Sequence, residues 1–222
     1  MPDKTIGSNH PVAGDIRFVD VNGRDAKGNL TGKPDGKIDV DDRTYLGKTI
    51  PDFFYGFNVD ATWRHFDVGT FFSGVSGVQK LDLMRSRVET VHGASNNRSV
   101  TILNHWTPSN HSTTIPRNTT DDLNNNDRAD SQRWVENASY LRLRNLQLGY
   151  TLPKGYFGTT HTRVYVSGTN LFTITPDKRL DPEFTTSIDF SRSRKASQLT
   201  SGIDTGNLPL PRMWQIGVST SF

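Results

Sequence analysis

The chemistry open to this chain rests on oxygen rather than on sulfur or paired imidazoles. It has no cysteine, so disulfides, thiolate nucleophiles and cysteine-based zinc sites are excluded. The histidines, His10, His65, His92, His105, His111 and His161, form no H-E-x-x-H and no other tight metal pair. No G-x-S-x-G is present; Gly74-Val75-Ser76-Gly77 resembles one in letters only. Walker and G-x-G-x-x-G loops are also missing, so no residues support an enzyme. Carboxylates remain. Residues 20–42 are dense in Asp, Asn and Gly, with hard oxygens that could surround a hard cation and Gly36 to permit a sharp turn; a solvated turn cluster between strands is the competing reading. Asp121, Asp122, Asp127 and Asp130 lie among asparagines and read as a solvated loop tip rather than a catalytic pair. Trp106 and His105 could stack on a sugar ring, or Trp106 could pack within its own loop.

Composition narrows what scaffold positions these groups. The 222 residues carry a net charge of +3, too small to argue for a nucleic-acid partner. Only 33% are hydrophobic and the mean hydropathy is −0.60, which excludes a bundle of transmembrane helices. A membrane β-barrel stays open, because only every second residue of its strands faces lipid. Met1-Pro2-Asp3-Lys4 opens no apolar signal-peptide segment. The expectation is therefore a cytosolic protein, or one whose address lies outside this sequence.

The strands are legible. From Phe53 to Trp63 the odd positions Phe53, Tyr55, Phe57, Val59, Ala61 and Trp63 are all apolar or aromatic. That is the alternation of a half-buried strand, over the ~9–11 residues that cross a bilayer at a tilt. Phe66–Phe72 follows after Arg64-His65 and completes a hairpin. A third strand spans about 140–152; its apolar phase slips near Asn145, as a β-bulge would produce. A fourth spans about 162–173, a fifth runs from Met213 to Phe222, and a weaker sixth covers roughly 12–20. Residues 79–91 could form a short helix through Leu83, Met84, Val88 and Val91.

The connections alternate in length. Segments 21–51, 77–138 and 174–211 are long, whereas 64–65 and 153–161 are short. Outer-membrane barrels have long extracellular loops and short periplasmic turns, and Trp63 and Phe66 flank the tight turn where an interfacial aromatic girdle would sit. A soluble β-sandwich holding glycan on its loops also alternates apolar and polar residues, but long loops are uncommon in compact soluble domains.

Several stretches resemble, in order, the C-terminal barrel half of the SusC/RagA family of TonB-linked outer-membrane proteins. They include Gly14-Asp15-Ile16-Arg17-Phe18-Val19-Asp20, Pro51-Asp52-Phe53-Phe54-Tyr55-Gly56-Phe57-Asn58, Ser139-Tyr140-Leu141-Arg142-Leu143-Arg144-Asn145-Leu146-Gln147-Leu148-Gly149-Tyr150, Gly168-Thr169-Asn170-Leu171-Phe172 and Leu210-Pro211-Arg212. The resemblance implies an all-β fold: antiparallel strands of a transmembrane β-barrel, about six of the ~22 such a plugged barrel holds. Residues 1–222 would be its C-terminal part, with the plug and earlier strands outside this sequence. It also implies TonB-dependent import of oligosaccharides or peptides, a SusD-like surface lipoprotein and the TonB complex as partners, and a place among outer-membrane lipid. Family members often carry a calcium-type run, D-x-N-x-D-G-x-I-D-x-x-D. Asp20, Asn22, Asp35, Asp39 and Asp42 match it, split by an insertion at 24–34. Phe222, with Val218, Ile216 and Trp214 on its face, resembles the terminal signal read by the barrel insertion machinery.

Overall fold

The computed structural model describes residues 11–92, 97–111, 113–153, 161–177, 181–183, 202–206 and 208–221. Its strands are β1 (Phe53–Trp63), β2 (Phe66–Ser76), β3 (Gln79–Asp82), β4 (Val135–Asn137), β5 (Tyr140–Thr151), β6 (His161–Ile174), β7 (Ile203–Asp204) and β8 (Met213–Ser221), with one α-helix, α1 (Leu83–Val88). The chain divides into two units, one of residues 47–81 and 135–222, the other of residues 1–46 and 82–134.

The first unit is built on a five-stranded antiparallel sheet in the order β1-β2-β5-β6-β8. The β1–β2 hairpin closes on Trp63↔Phe66, and Arg64 takes the left-handed φ of 56° that so tight a turn calls for. Neighbouring strands connect in chain order. The long connections after Ser76 and Ile174 leave one end of the sheet, and the tight turn and the segment after Thr151 leave the other, in the expected rhythm.

The phase slip in β5 is a bulge. Phe71 pairs with Asn145 and Phe72 with Leu143, so Arg144 is the extra residue. Against β6, Leu143 pairs with Phe172 and Asn145 with Thr169, and Asn170 opposite the slip has a φ of 53°. An extra residue resets the alternation, which keeps Leu141 and Leu143 on the same face as Leu146 and Leu148.

A small sheet, β4-β3-β7, accompanies the large one. Its Lys80 is fully buried, with Nζ 3.0 Å from Asp177 and 2.8 Å from Asp204. A buried ammonium needs such partners, because desolvation is otherwise uncompensated. The helix expected over 79–91 is shorter than its apolar pattern suggested. Residues 79–82 pair as β3, and α1 begins only after Asp82, whose side chain accepts the Arg85 N–H at 2.7 Å.

The second unit packs around Trp134, which is fully buried. The guanidinium carbons of Arg133 and Arg85 lie 4.2 and 5.3 Å from its ring centroid, and its Nε1 donates to the Arg128 carbonyl at 2.9 Å. The asparagine-rich segment is not the solvated tip expected. Asn124 and Asn126 are buried because their amides serve the backbone of Ile16, at 2.9 and 2.8 Å. The sixth strand, expected over about 12–20, does not form: it has no ladder partner among the described residues.

Candidate functional site

The large sheet has two chemically opposite faces, and the register shows it row by row. One row across all five strands reads Ala61, Val68, Leu148, Val166, Ile216. The row beside it reads Asp60, Gly69, Gln147, Ser167, Gln215. A third, back on the first face, is Trp63, Phe66, Tyr150, Val164, Val218. The apolar face is the exposed one: Ile216 is 83% exposed, Trp214 66% and Leu148 47%. Aromatic rings lie together on it, with Phe57 and Phe72 stacked at 4.8 Å and Phe66 and Tyr150 4.8 Å apart. A soluble sandwich buries its apolar face between sheets, so the sheet is inside-out for water and correctly arranged for lipid.

The opposite face carries charge. Arg163 of β6 donates to Asp67 of β2, through Nε at 2.9 Å and through Nη2. The bulge residue Arg144 donates to Ser73 Oγ at 2.8 Å and to both oxygens of Glu183 at 2.6 Å. Arg142 is buried between Asp181 and Glu183. Burial by itself would push the Asp181 carboxyl up, but Arg142 and the N–H groups of Leu210 and Glu183 hold it below the usual carboxylate range. Arg142, Thr173, Asp177, Asp181 and Arg212 line an open cleft of about 790 Å³, within the ~300–1,000 Å³ range of ligand sites.

The acidic loop comes together across its insertion. Residues 24–34 fold out as a small hairpin, with an Arg24↔Leu30 bridge and the Thr31 N–H on the Gly23 carbonyl at 2.9 Å. The flanking halves meet at its base. Asp20 accepts the Asp35 and Gly36 N–H groups at 3.2 and 2.7 Å, and Asn22 Oδ1 accepts Gly32 N–H at 2.7 Å. Asp42 accepts from Val21 at 2.8 Å, Asn22 at 3.0 Å and Asp39 at 2.8 Å, while Asp39 caps the short 3₁₀ turn that follows it. Burial would raise the Asp42 carboxyl, but those N–H groups hold it low. The donor set, four carboxylates and an amide, fits a hard cation. In this arrangement the carboxylates serve mainly as backbone acceptors, and no three of them bring oxygens within 4.8 Å of one another.

One cluster escaped sequence reading. His92 Nδ1 lies 2.6 Å from Asp127 and 3.7 Å from Asp122, residues too far apart in sequence to suggest a pair. Arg133 takes the other Asp127 oxygen at 3.0 Å, and both Asp122 oxygens accept backbone N–H groups, so the cluster is balanced internally. Trp106 stacks on His111 at 5.4 Å, a partner within its own loop. Phe222 lies outside the described residues.

No protein-family model matches the chain. TonB-dependent receptor P3 of Formosa agariphila is 34% identical over 190 residues, covering 84% of this chain and 18% of that protein. TonB-dependent receptor P26 of the same organism is 28% identical over 214 residues, covering 95% and 20%. Among solved structures, the RagAB peptide transporter aligns at 26% identity with a TM-score of 0.62, covering 90% of this chain and 20% of that one. The RagAB peptide importer in its closed-closed state aligns at 25% and 0.60, with the same coverage. The chain spans about a fifth of the length of the curated relatives it matches.

Proposed function

Since the chain belongs to the SusC/RagA type of TonB-dependent receptors, proteins of the bacterial outer membrane, we propose that it forms part of the wall of a transmembrane β-barrel that imports oligosaccharides or peptides. The observation carrying this reading is the pair of adjacent rows, Ala61 to Ile216 apolar and Asp60 to Gln215 polar, on one sheet. Lipid takes the first face. The second, with Arg142, Arg144 and Arg163, faces a wet interior, where charged side chains remain solvated or paired. The chain's role is structural and recognitive rather than catalytic.

The proposed partners follow from the same reading. They are a SusD-like surface lipoprotein over the long connections, the TonB complex acting on the whole receptor, outer-membrane lipid, and insertion machinery that reads Phe222. Calcium is proposed for the loop of Asp20, Asn22, Asp35, Asp39 and Asp42. The ejected hairpin at 24–34 supports it by restoring the neighbourhood of both halves. Binding would require the carboxylates to exchange backbone N–H groups for the ion.

Growth tests the import reading. Cells lacking the protein, supplied with either a peptide mixture or a polysaccharide digest as sole carbon source, should fail on one class and recover when the gene is restored. Unimpaired growth on both would contradict it.

A further inference from the structure

A stretch of backbone in the second unit has two fixed ends and an unused middle. At one end Asn126 and Asn124 hold the Ile16 N–H and carbonyl. At the other Asp42 holds the N–H groups of Val21 and Asn22. Between them Arg17, Phe18 and Val19 make no backbone hydrogen bond among the described residues. The stretch still has a strand's alternation, with Arg17, Val19 and Val21 exposed and Ile16, Phe18 and Asp20 partly covered. Directly after Asp42, residues 43–46 also run without a backbone partner among the described residues, and Arg43 is extended at φ −66°, ψ 127°. Both stretches line one cleft of about 430 Å³. Two stretches without a ladder partner among the described residues, one alternating in exposure and the other extended at Arg43, border one open cleft, which leaves room for an added strand.

The cleft also has a charge preference. Arg17 has no carboxylate partner among the described residues. Arg43 and Arg128 share Asp130, at 3.5 and 2.6 Å, and the Asp42 carboxylate is occupied by backbone N–H groups. The rim is therefore cationic, while Phe18, Ile38 and Leu46 make the lining apolar.

We propose that this cleft binds an extended peptide with alternating acidic and apolar side chains, which adds as a β-strand along Arg17–Val19. The peptide's backbone supplies the missing ladder bonds, its acidic side chains meet the arginines, and its apolar ones enter the cleft. This binding is independent of the import reading, which rests on the other unit.

The test is fluorescence anisotropy on the detergent-purified protein, using labelled Glu-Val-Glu-Val-Glu-Val. The comparison peptides are Lys-Val-Lys-Val-Lys-Val and a Glu-Val peptide with alternate amides N-methylated. Saturable binding of the first is expected, with at least tenfold weaker binding of both others. Arg17→Glu with Arg43→Glu, at two exposed positions, should weaken the Glu-Val peptide at least tenfold and favour the Lys-Val one. Absence of saturable binding, equal binding of the N-methylated peptide, or indifference to the charge reversal would each overturn the proposal.

Discussion

Arg163 pairs with Asp67 across an intervening strand, and the residue between them is Gly149. The guanidinium reaches from β6 over β5 to β2. A β-carbon on Gly149 would lie 2.4 Å from both Arg163 Nη2 and Asp67 Oδ1, so the glycine is there for space. Asp67→Asn should cost no more than about 1 kcal/mol, because the pair is partly exposed. Gly149→Val should cost a similar amount, about 1 kcal/mol, because its side chain meets only the far ends of Arg163 and Asp67 and displaces them from their pair. Thermal unfolding in detergent measures both, and a valine variant as stable as the parent would contradict the spatial role of Gly149.

Arg142 is the opposite case, a buried cation whose loss strands two carboxylates. Arg142→Met should destabilise by about 3–5 kcal/mol, toward the lower end because Glu183 is one-third exposed. The pH dependence follows from Asp181, whose carboxyl is held low in the fold by Arg142 and backbone N–H groups against the upward push of burial. A depressed carboxylate stabilises above its unfolded value and loses that contribution as pH falls through its folded one. Without Arg142 that contribution shrinks, so the stability gap between parent and variant should be widest above the unfolded carboxylate value and should narrow as pH falls and Asp181 takes up its proton. A gap that stays constant through the acid titration would show that Arg142 does not set the behaviour of Asp181.

The acidic loop yields a metal prediction. Calorimetric titration with calcium should give one saturable site, and Asp20→Asn with Asp39→Asn should remove it. Deleting residues 24–34, which fold out as a hairpin, should preserve or tighten binding by joining the two halves directly. No heat of binding in the parent would dismiss calcium, and loss of binding on deletion would mean that the hairpin itself contributes.

Much of the barrel sheet is legible in sequence because its physics is local. Alternation at 53–63 and the phase slip near Asn145 both reappear, as β1 and as the Arg144 bulge. What stays hidden depends on register or distance. The Asp67–Arg163 pair needs three strands aligned, and Trp134 takes Arg85 from a distant segment beside its chain neighbour Arg133. Residues 12–20 have a strand's local preference, but pairing requires a neighbour that the described chain does not place there. The helix expected over 79–91 shrinks to α1 because its first four residues pair as β3. In the acidic loop, the insertion hid a proximity that its own hairpin restores.

The central claim is that adjacent residues on one strand face lipid and water. The chain has no cysteine, so single cysteines at Leu148, Gln147, Ile216 and Gln215 can carry spin labels without background from this sequence. In outer-membrane lipid vesicles, labels at Leu148 and Ile216 should be accessible to oxygen and shielded from a polar nickel chelate, and labels at Gln147 and Gln215 should show the reverse. Equal access to the nickel chelate at all four positions would contradict the membrane wall.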